Sequence, residues 1–313
     1  MNGIELSRAF YEQFGKAMLR EKFPHLKDKI AVGIAGSGSD CYGYDDDISR
    51  DHDYEAGFCI FLPGEDVVSR RDEFLLERAY NALPSEFMSV KRPPLSPVGG
   101  NRRGVIRYAD FFERFTGDKE GRLSDLQLLS LPENYLFEAT DGEVFYDGYG
   151  RFSEIRSRLR TLPEDVRTKK IAGNVLIMNQ SGQYNYFRCV RRGDEGACQL
   201  ALTEFVKAAM SVVFLLNGEY KPYYKWCFYA LRRLKSMSET ADMFEKLLTA
   251  DNKGDNVEKK EKILSGVADI IAGAVSKRYD VNCGDGDLEK LAYAVNNKIK
   301  SEKLRNLNIF AGV

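Results

Sequence analysis

Apolar positions in the N-terminal segment recur at helical spacing. Ile4, Phe10, Phe14, Ala17 and Met18 share one face and predict an amphipathic helix over 4–22. The pattern then changes. IAVGIAG (30–36) is a short apolar run ahead of a Gly/Ser turn, and YEAGFCIFL (54–62) is a second run closed by Pro63-Gly64. Both predict buried strands. The helical period returns in EDVVSRRDEFLLERAYNAL (65–83), with acidic residues in the first turn. KRPPLSPVGGNRRG (91–104) predicts a loop, VIRYADFF (105–112) a third strand running into a helix, and GEVFYD (142–147) a fourth strand.

From about residue 151 no further strand pattern occurs. PEDVRTKKIAGNVLIMNQSGQYNYFRCVRRGD (163–194) begins with Pro in a first-turn position followed by two acids, a helix start. ACQLALTEFVKAAMSVVFLLNG (197–218) predicts a second long helix closed by Asn217-Gly218. Helical patterns continue through 222–234, 238–250 and 256–279. The expected fold class is therefore α+β: a mixed α/β domain with a small mixed sheet over 1–160, and an all-helical bundle over 161–313.

The chain has 313 residues and a net charge of −1, so no global basic field favours nucleic acid, although local basic patches leave room for it. The longest unbroken apolar run, AAMSVVFLL (208–216), is about half the roughly 18 residues of a membrane span, so no membrane is expected. The first residues read as a helix rather than a signal-peptide core. Cysteines stand at 41, 59, 189, 198, 227 and 283 with no C-x-x-C, and the only histidines are His25 and His52. That spacing argues against structural zinc and for reduced thiols in a cytoplasmic protein.

The chemistry concentrates in GIAGSGSDCYGYDDDISRDHDYEAGFCIFL (33–62). If Asp51 and Asp53 open a strand, alternation places them on one face with His52 pointing away. Paired carboxylates repel unless a cation lies between them, and Mg²⁺ favours carboxylate and phosphate oxygens. Gly36, Ser37 and Ser39 supply an open turn and hydroxyls for a phosphate. Asp45, Asp46 and Asp47 read as loop or capping residues. In the helical half, Lys221 and Lys225 flank three aromatics in KPYYKW, a composition suited either to base stacking or to packing. Arg188 and Arg192, one turn apart, fit either phosphates or a solvated face paired with Asp194 or Glu195. Glu204 faces either a cleft or solvent beside Lys207. Asp285 and Asp287 form a second D-x-D that reads as a helix cap.

Gly36-Ser37 followed by Asp51-x-Asp53 resembles the signature of the polymerase-beta-type nucleotidyltransferase superfamily. GSGSDCYGYDDDISRDHDY, the 163–188 segment and KPYYKW together resemble a bacterial branch described only as a domain of unknown function. The second domain is similar to the helical domain of antibiotic adenylyltransferases. The resemblance implies transfer of a nucleoside monophosphate, AMP from ATP by preference, to an acceptor hydroxyl with release of pyrophosphate. It implies Asp51 and Asp53 as catalytic ligands of two Mg²⁺ ions, and Gly36, Ser37, Lys221 and Lys225 as triphosphate contacts. The alternative is a catalytically degenerate nucleotide-binding or antitoxin-like protein. The superfamily carries a third carboxylate on the neighbouring strand, where this chain has Arg107; Asp110 and Glu113 follow it. The acceptor is not specified.

Overall fold

A computed structural model of the chain describes residues 1–49, 54–95, 101–282 and 286–313. The fold is α+β, with a four-stranded mixed sheet near the N-terminus and helices alone after Thr161 among the described residues. It divides into two compact units, Met1–Leu123 with Tyr135–Thr161, and Ser124–Asn134 with Leu162–Val313.

In the first unit, α1 (Gly3–Phe10) and α2 (Lys16–Lys22) are joined by a π-helical turn, Tyr11–Gly15. The strands are β1 (Ala31–Ile34), β2 (Cys59–Leu62), a short hairpin of β3 (Glu86–Phe87) and β4 (Val90–Lys91), β5 (Gly104–Arg107) and β6 (Glu143–Asp147). The sheet order is β5-β2-β1-β6, and β5 runs parallel to β2 with Leu62 opposite Arg107. The unit's helices are α3 (Ser39–Tyr42), α4 (Arg70–Asn81), α5 (Tyr108–Thr116) and, beyond the segment that joins the second unit, most of α7 (Glu133–Thr140) and α8 (Arg151–Leu159). Alternation along β2 explains its unbroken apolar run. Ile60 and Leu62 join the cluster containing Phe10, Leu76 and Tyr80, while Phe61 faces the other way and stacks on Phe152 at 3.9 Å. A strand covered on both faces needs apolar residues at every position.

Two expectations from the pattern are corrected. The second strand begins at Cys59, not at Tyr54, because the Phe58 amide donates to the Tyr80 hydroxyl (3.1 Å) instead of pairing with β1. The alternation argument therefore does not reach Asp51 and Asp53. Similarly, α4 begins at Arg70, not at 65, because Ser69 caps it by accepting from the Asp72 amide (3.1 Å).

The second unit contains α6 (Asp125–Ser130) and then α9 (Glu164–Met178), α10 (Tyr186–Arg192), α11 (Glu195–Asn217), α12 (Cys227–Leu231), α13 (Thr240–Thr249), α14 (Asp255–Tyr279), α15 (Leu288–Asn296) and α16 (Glu302–Arg305). Its centre is α9, against which α6, α11, α15 and α16 pack. Although no unbroken run predicted it, α11 is long and apolar enough by length and composition to cross a membrane. Its most apolar window is 61% buried within the protein, as in a core helix. Gly218 ends it in the left-handed conformation. The buried Lys169 ammonium donates to Asn296 Oδ1 and the Leu307 carbonyl, both at 2.8 Å, tying α9 to the C-terminal turns.

Candidate functional site

The turn after β1 is shaped by two glycines. Gly36 has φ +103° and Gly38 φ +122°, a region closed to most side chains. A methyl at Gly36 would lie 3.4 Å from Phe111, and one at Gly38 would overlap the Arg102 guanidinium. Between them, the Ser37 hydroxyl donates to Glu138 Oε2 (2.5 Å) and its carbonyl accepts from Arg102 Nη2 (3.0 Å) and Cys41 Sγ (3.5 Å). Ser39 opens α3 and is buried.

Beneath the turn lies an ionic knot that the sequence reading missed. Asp40 is 1% exposed. Its Oδ1 accepts from Arg102 (2.7 Å) and the Cys41 amide (2.9 Å), and its Oδ2 accepts from the buried Arg103. The signal lay in NRRGVIR, where two arginines stand directly before an apolar strand: one of them is drawn inside with its counterion. Burial pushes the neighbouring Cys41 thiol up to about 12. Glu138, also unforeseen, is buried beside Ser37; Tyr42 is raised first by its own burial and then by that carboxylate.

Asp51 and Asp53, with Arg50 and His52, lie outside the described residues, as does Asp285. Of the loop acids, Asp45 accepts from the Gly3 amide (2.9 Å) and Asp46 from the Ser49 amide (2.8 Å). Among the described residues no three His, Cys, Asp or Glu side chains cluster to hold a metal. The two buried carboxylates at the turn are engaged, Asp40 by arginines and Glu138 by Ser37.

Arg107 stands at the end of β5, beside β2. Its guanidinium donates to Glu73 Oε2 (2.6 Å) and the Val68 carbonyl (2.9 Å), so it fastens α4 to the sheet. Asp110 does not cap α5. It sits in the helix's first turn, where the N-cap Arg107 makes no side-chain cap bond. Glu113 faces Lys119 at 3.8 Å. A cleft of about 830 Å³ opens at the turn. Gly36 and Ser37 form part of its lining, β5 and the Arg102-Arg103 pair another part, and α4 and α5 its walls; Asp110 lines it. Within the unit, therefore, the turn and Asp110 share a cavity.

In the second unit, Lys221 is half-buried and its ammonium donates to Ser211 Oγ. Lys225 is exposed, with Nζ 5.4 Å from the Trp226 ring. Of the aromatics, Trp226 is buried, whereas Tyr223 and Tyr224 are exposed. A second unforeseen group surrounds Lys221. Burial lowers the pKa of Lys170, with Glu133 opposing that shift and Lys221 adding to it. Glu133 is buried, and its Oε2 has no hydrogen-bond partner among the described residues. Arg188 stacks on Tyr184 at 4.0 Å rather than pairing with its neighbours: Asp194 caps α11 and Glu195 meets Lys253 at 2.8 Å. Glu204 reaches solvent beside Lys207 (2.9 Å), and Asp287 caps α15 by accepting from the Lys290 amide (3.0 Å).

Residues 128–227, about a third of the chain, match the model of a family described as Domain of unknown function (DUF4037). No curated protein matches the chain. The crystal structure of a nucleotidyltransferase-like protein from Exiguobacterium sibiricum 255-15 is similar at 12% identity and a TM-score of 0.38, covering 85% of this chain and 76% of that one. The matched family segment takes in PEDVRTKKIAGNVLIMNQSGQYNYFR and KPYYKW, while the aspartate-rich stretch precedes it.

Proposed function

We propose that the chain is a Mg²⁺-dependent nucleotidyltransferase that moves a nucleoside monophosphate, AMP from ATP by preference, onto an acceptor hydroxyl. One observation carries the reading: the Gly36-Ser37 turn, held open by two positive-φ glycines, lines a cleft and is followed in sequence by Asp51-x-Asp53. In this reading the turn positions the triphosphate and the acceptor oxygen attacks the α-phosphorus. The new O–P bond forms as the bond to the bridging oxygen breaks. Pyrophosphate leaves with that electron pair, and the hydroxyl proton passes to water. Magnesium, held by Asp51 and Asp53, would neutralise phosphate charge. Lys221 and Lys225 are proposed triphosphate contacts.

A second reading, a nucleotide-binding protein without turnover, is favoured by Arg107. It stands where the superfamily carries its third carboxylate and is engaged by Glu73 and by carbonyls. Both readings require Mg-ATP binding; only the first requires transfer. Calorimetry with ATP, with and without Mg²⁺, should show metal-dependent binding in wild type and Asp46→Asn, and loss of most of it in Asp51→Asn and Asp53→Asn. Incubation with labelled ATP and cell extract should give a labelled product. Equal affinity without metal, or unchanged binding in both aspartate variants, would refute the site. Binding without product would select the second reading.

A further inference from the structure

The cleft has two walls of similar composition. From α4 it receives Phe74 and Arg78, four residues apart, and from α5 Phe111 and Arg114, three apart, so each helix contributes a phenylalanine and, about one turn on, an arginine. The three arginines at the floor are engaged: Arg102 and Arg103 by Asp40, Arg107 by Glu73. Arg78 and Arg114 are different. Both are exposed, and neither meets a carboxylate among the described residues. Their neighbours are the aromatic rings of their own helices, Phe74 at 5.9 Å and Phe115 at 5.6 Å. Phe74 itself is 57% exposed, a large apolar surface at the rim of a cavity. The inner end is the Gly36 turn, which lies against Phe111 and Phe115.

We infer that this cleft is the acceptor site, and that it takes a small hydroxylated organic anion, a carboxylate or phosphate ester on an apolar body. The inference rests on the transferase reading for its hydroxyl, but not for its anion or its apolar body. A planar guanidinium recognises carboxylate or phosphate through paired N–H donors, and one arginine on each wall lets the anion be gripped from two sides. The aromatic rings hold the apolar body, which leaves the hydroxyl directed to the glycine turn. Three carboxylates also line the cleft: Glu73, whose charge is met by Arg107, and Glu77 and Asp110. Burial and then the Glu73 charge push the pKa of Glu77 up. Asp110 is exposed in the first turn of α5.

Calorimetric titration of the full chain, without nucleotide or metal, tests this with three probes of similar body: phenyl phosphate, benzoate and neutral benzyl alcohol. At least one anion should bind, and benzyl alcohol should bind at least tenfold more weakly. The tighter anion identifies which group the site takes. Arg78→Gln and Arg114→Gln should each weaken that anion about tenfold. Arg188→Gln, an exposed arginine of the second unit, should not. Thermal melts of the variants should match wild type, since both arginines are exposed. Binding of benzyl alcohol as tight as the anions, no binding of either anion, or unchanged affinity in both arginine variants would overturn the inference. Failure of transfer from labelled ATP, with arginine-dependent anion binding intact, would instead overturn the transferase reading.

Discussion

Replacing Asp40 by Asn isolates the ionic knot beneath the glycine turn. The substitution keeps shape, and the remaining amide oxygen can still accept from Arg102 and the Cys41 amide. The new NH₂ group, however, faces Arg103, donor against donor. Arg103 is 3% exposed, so its charge is left inside with no carboxylate at ion-pair distance among the described residues, and only the more distant Glu55 to offset it. Breaking a buried pair from one side costs about 3–5 kcal/mol, mostly through the stranded charge. For a unit of roughly 150 residues each kcal/mol is worth about 2–4 °C, so the first unit should melt roughly 6–20 °C lower. The chain has one tryptophan, Trp226, in the second unit. Its fluorescence follows that unit, while calorimetry records both, and the difference assigns the shifted transition. Combining Asp40→Asn with Arg103→Met removes the stranded charge and should recover part of the loss. A shift under 2 °C for Asp40→Asn, or a double variant less stable than the single one, would refute the reasoning.

Two further outcomes follow from the burial of ionisable groups. Burial raises the Cys41 thiol to about 12 and the Cys227 thiol to about 11, and it raises Cys59 and Cys198 as well. In a Cys283→Ser background a thiol reagent at pH 8 should label only the partly exposed Cys189 quickly, and fast labelling of two or more sites in the native protein would contradict this. The Asp118 carboxylate accepts from the Arg122 and Glu120 amides, both at 2.9 Å, which pulls its pKa below 3.8. A depressed carboxylate stabilises the fold above pH 3.8 and loses that contribution as pH falls through the folded value. Melting temperature should therefore fall less steeply below about pH 4 in Asp118→Asn than in wild type, and parallel curves would exclude the contribution.

Local patterns made β1, the glycine turn, β5, β6 and the long helices legible, because periodicity and turn chemistry act over a few residues. What stayed hidden depends on partners far along the chain. The late start of β2 depends on Tyr80, more than twenty residues away. Arg107 reads as a departure from a motif until Glu73 and the Val68 carbonyl are beside it. Asp40 was one aspartate among six, and only Arg102 and Arg103 set it apart. Glu138 and Glu133 sit on a helix whose spacing says nothing of Ser37 or Lys170. For the candidate site, sequence placed Gly36 and Ser37 in a shaped turn, but it did not foresee that the Ser37 hydroxyl would be directed to Glu138, nor that the unengaged arginines would stand on the two walls of one cleft.

The way the chain is shared between its two units has a consequence for gene architecture. It passes from the first to the second near residue 123, returns near 134, and leaves again near 161. A gene cut at 161 therefore does not yield two self-sufficient pieces. The upstream fragment would carry α6 with nothing to cover Leu128 and Leu129, which are buried in the intact chain, and the downstream fragment would lack the helix that packs on α9. A single end-to-end fusion at 161 would by itself neither add nor remove the whole of the second unit. Recombination that swapped it as a cassette would have to replace two separate stretches of sequence at once, so substitutions in Ser124–Asn134 should track those in α9 more closely than those in the strands on either side.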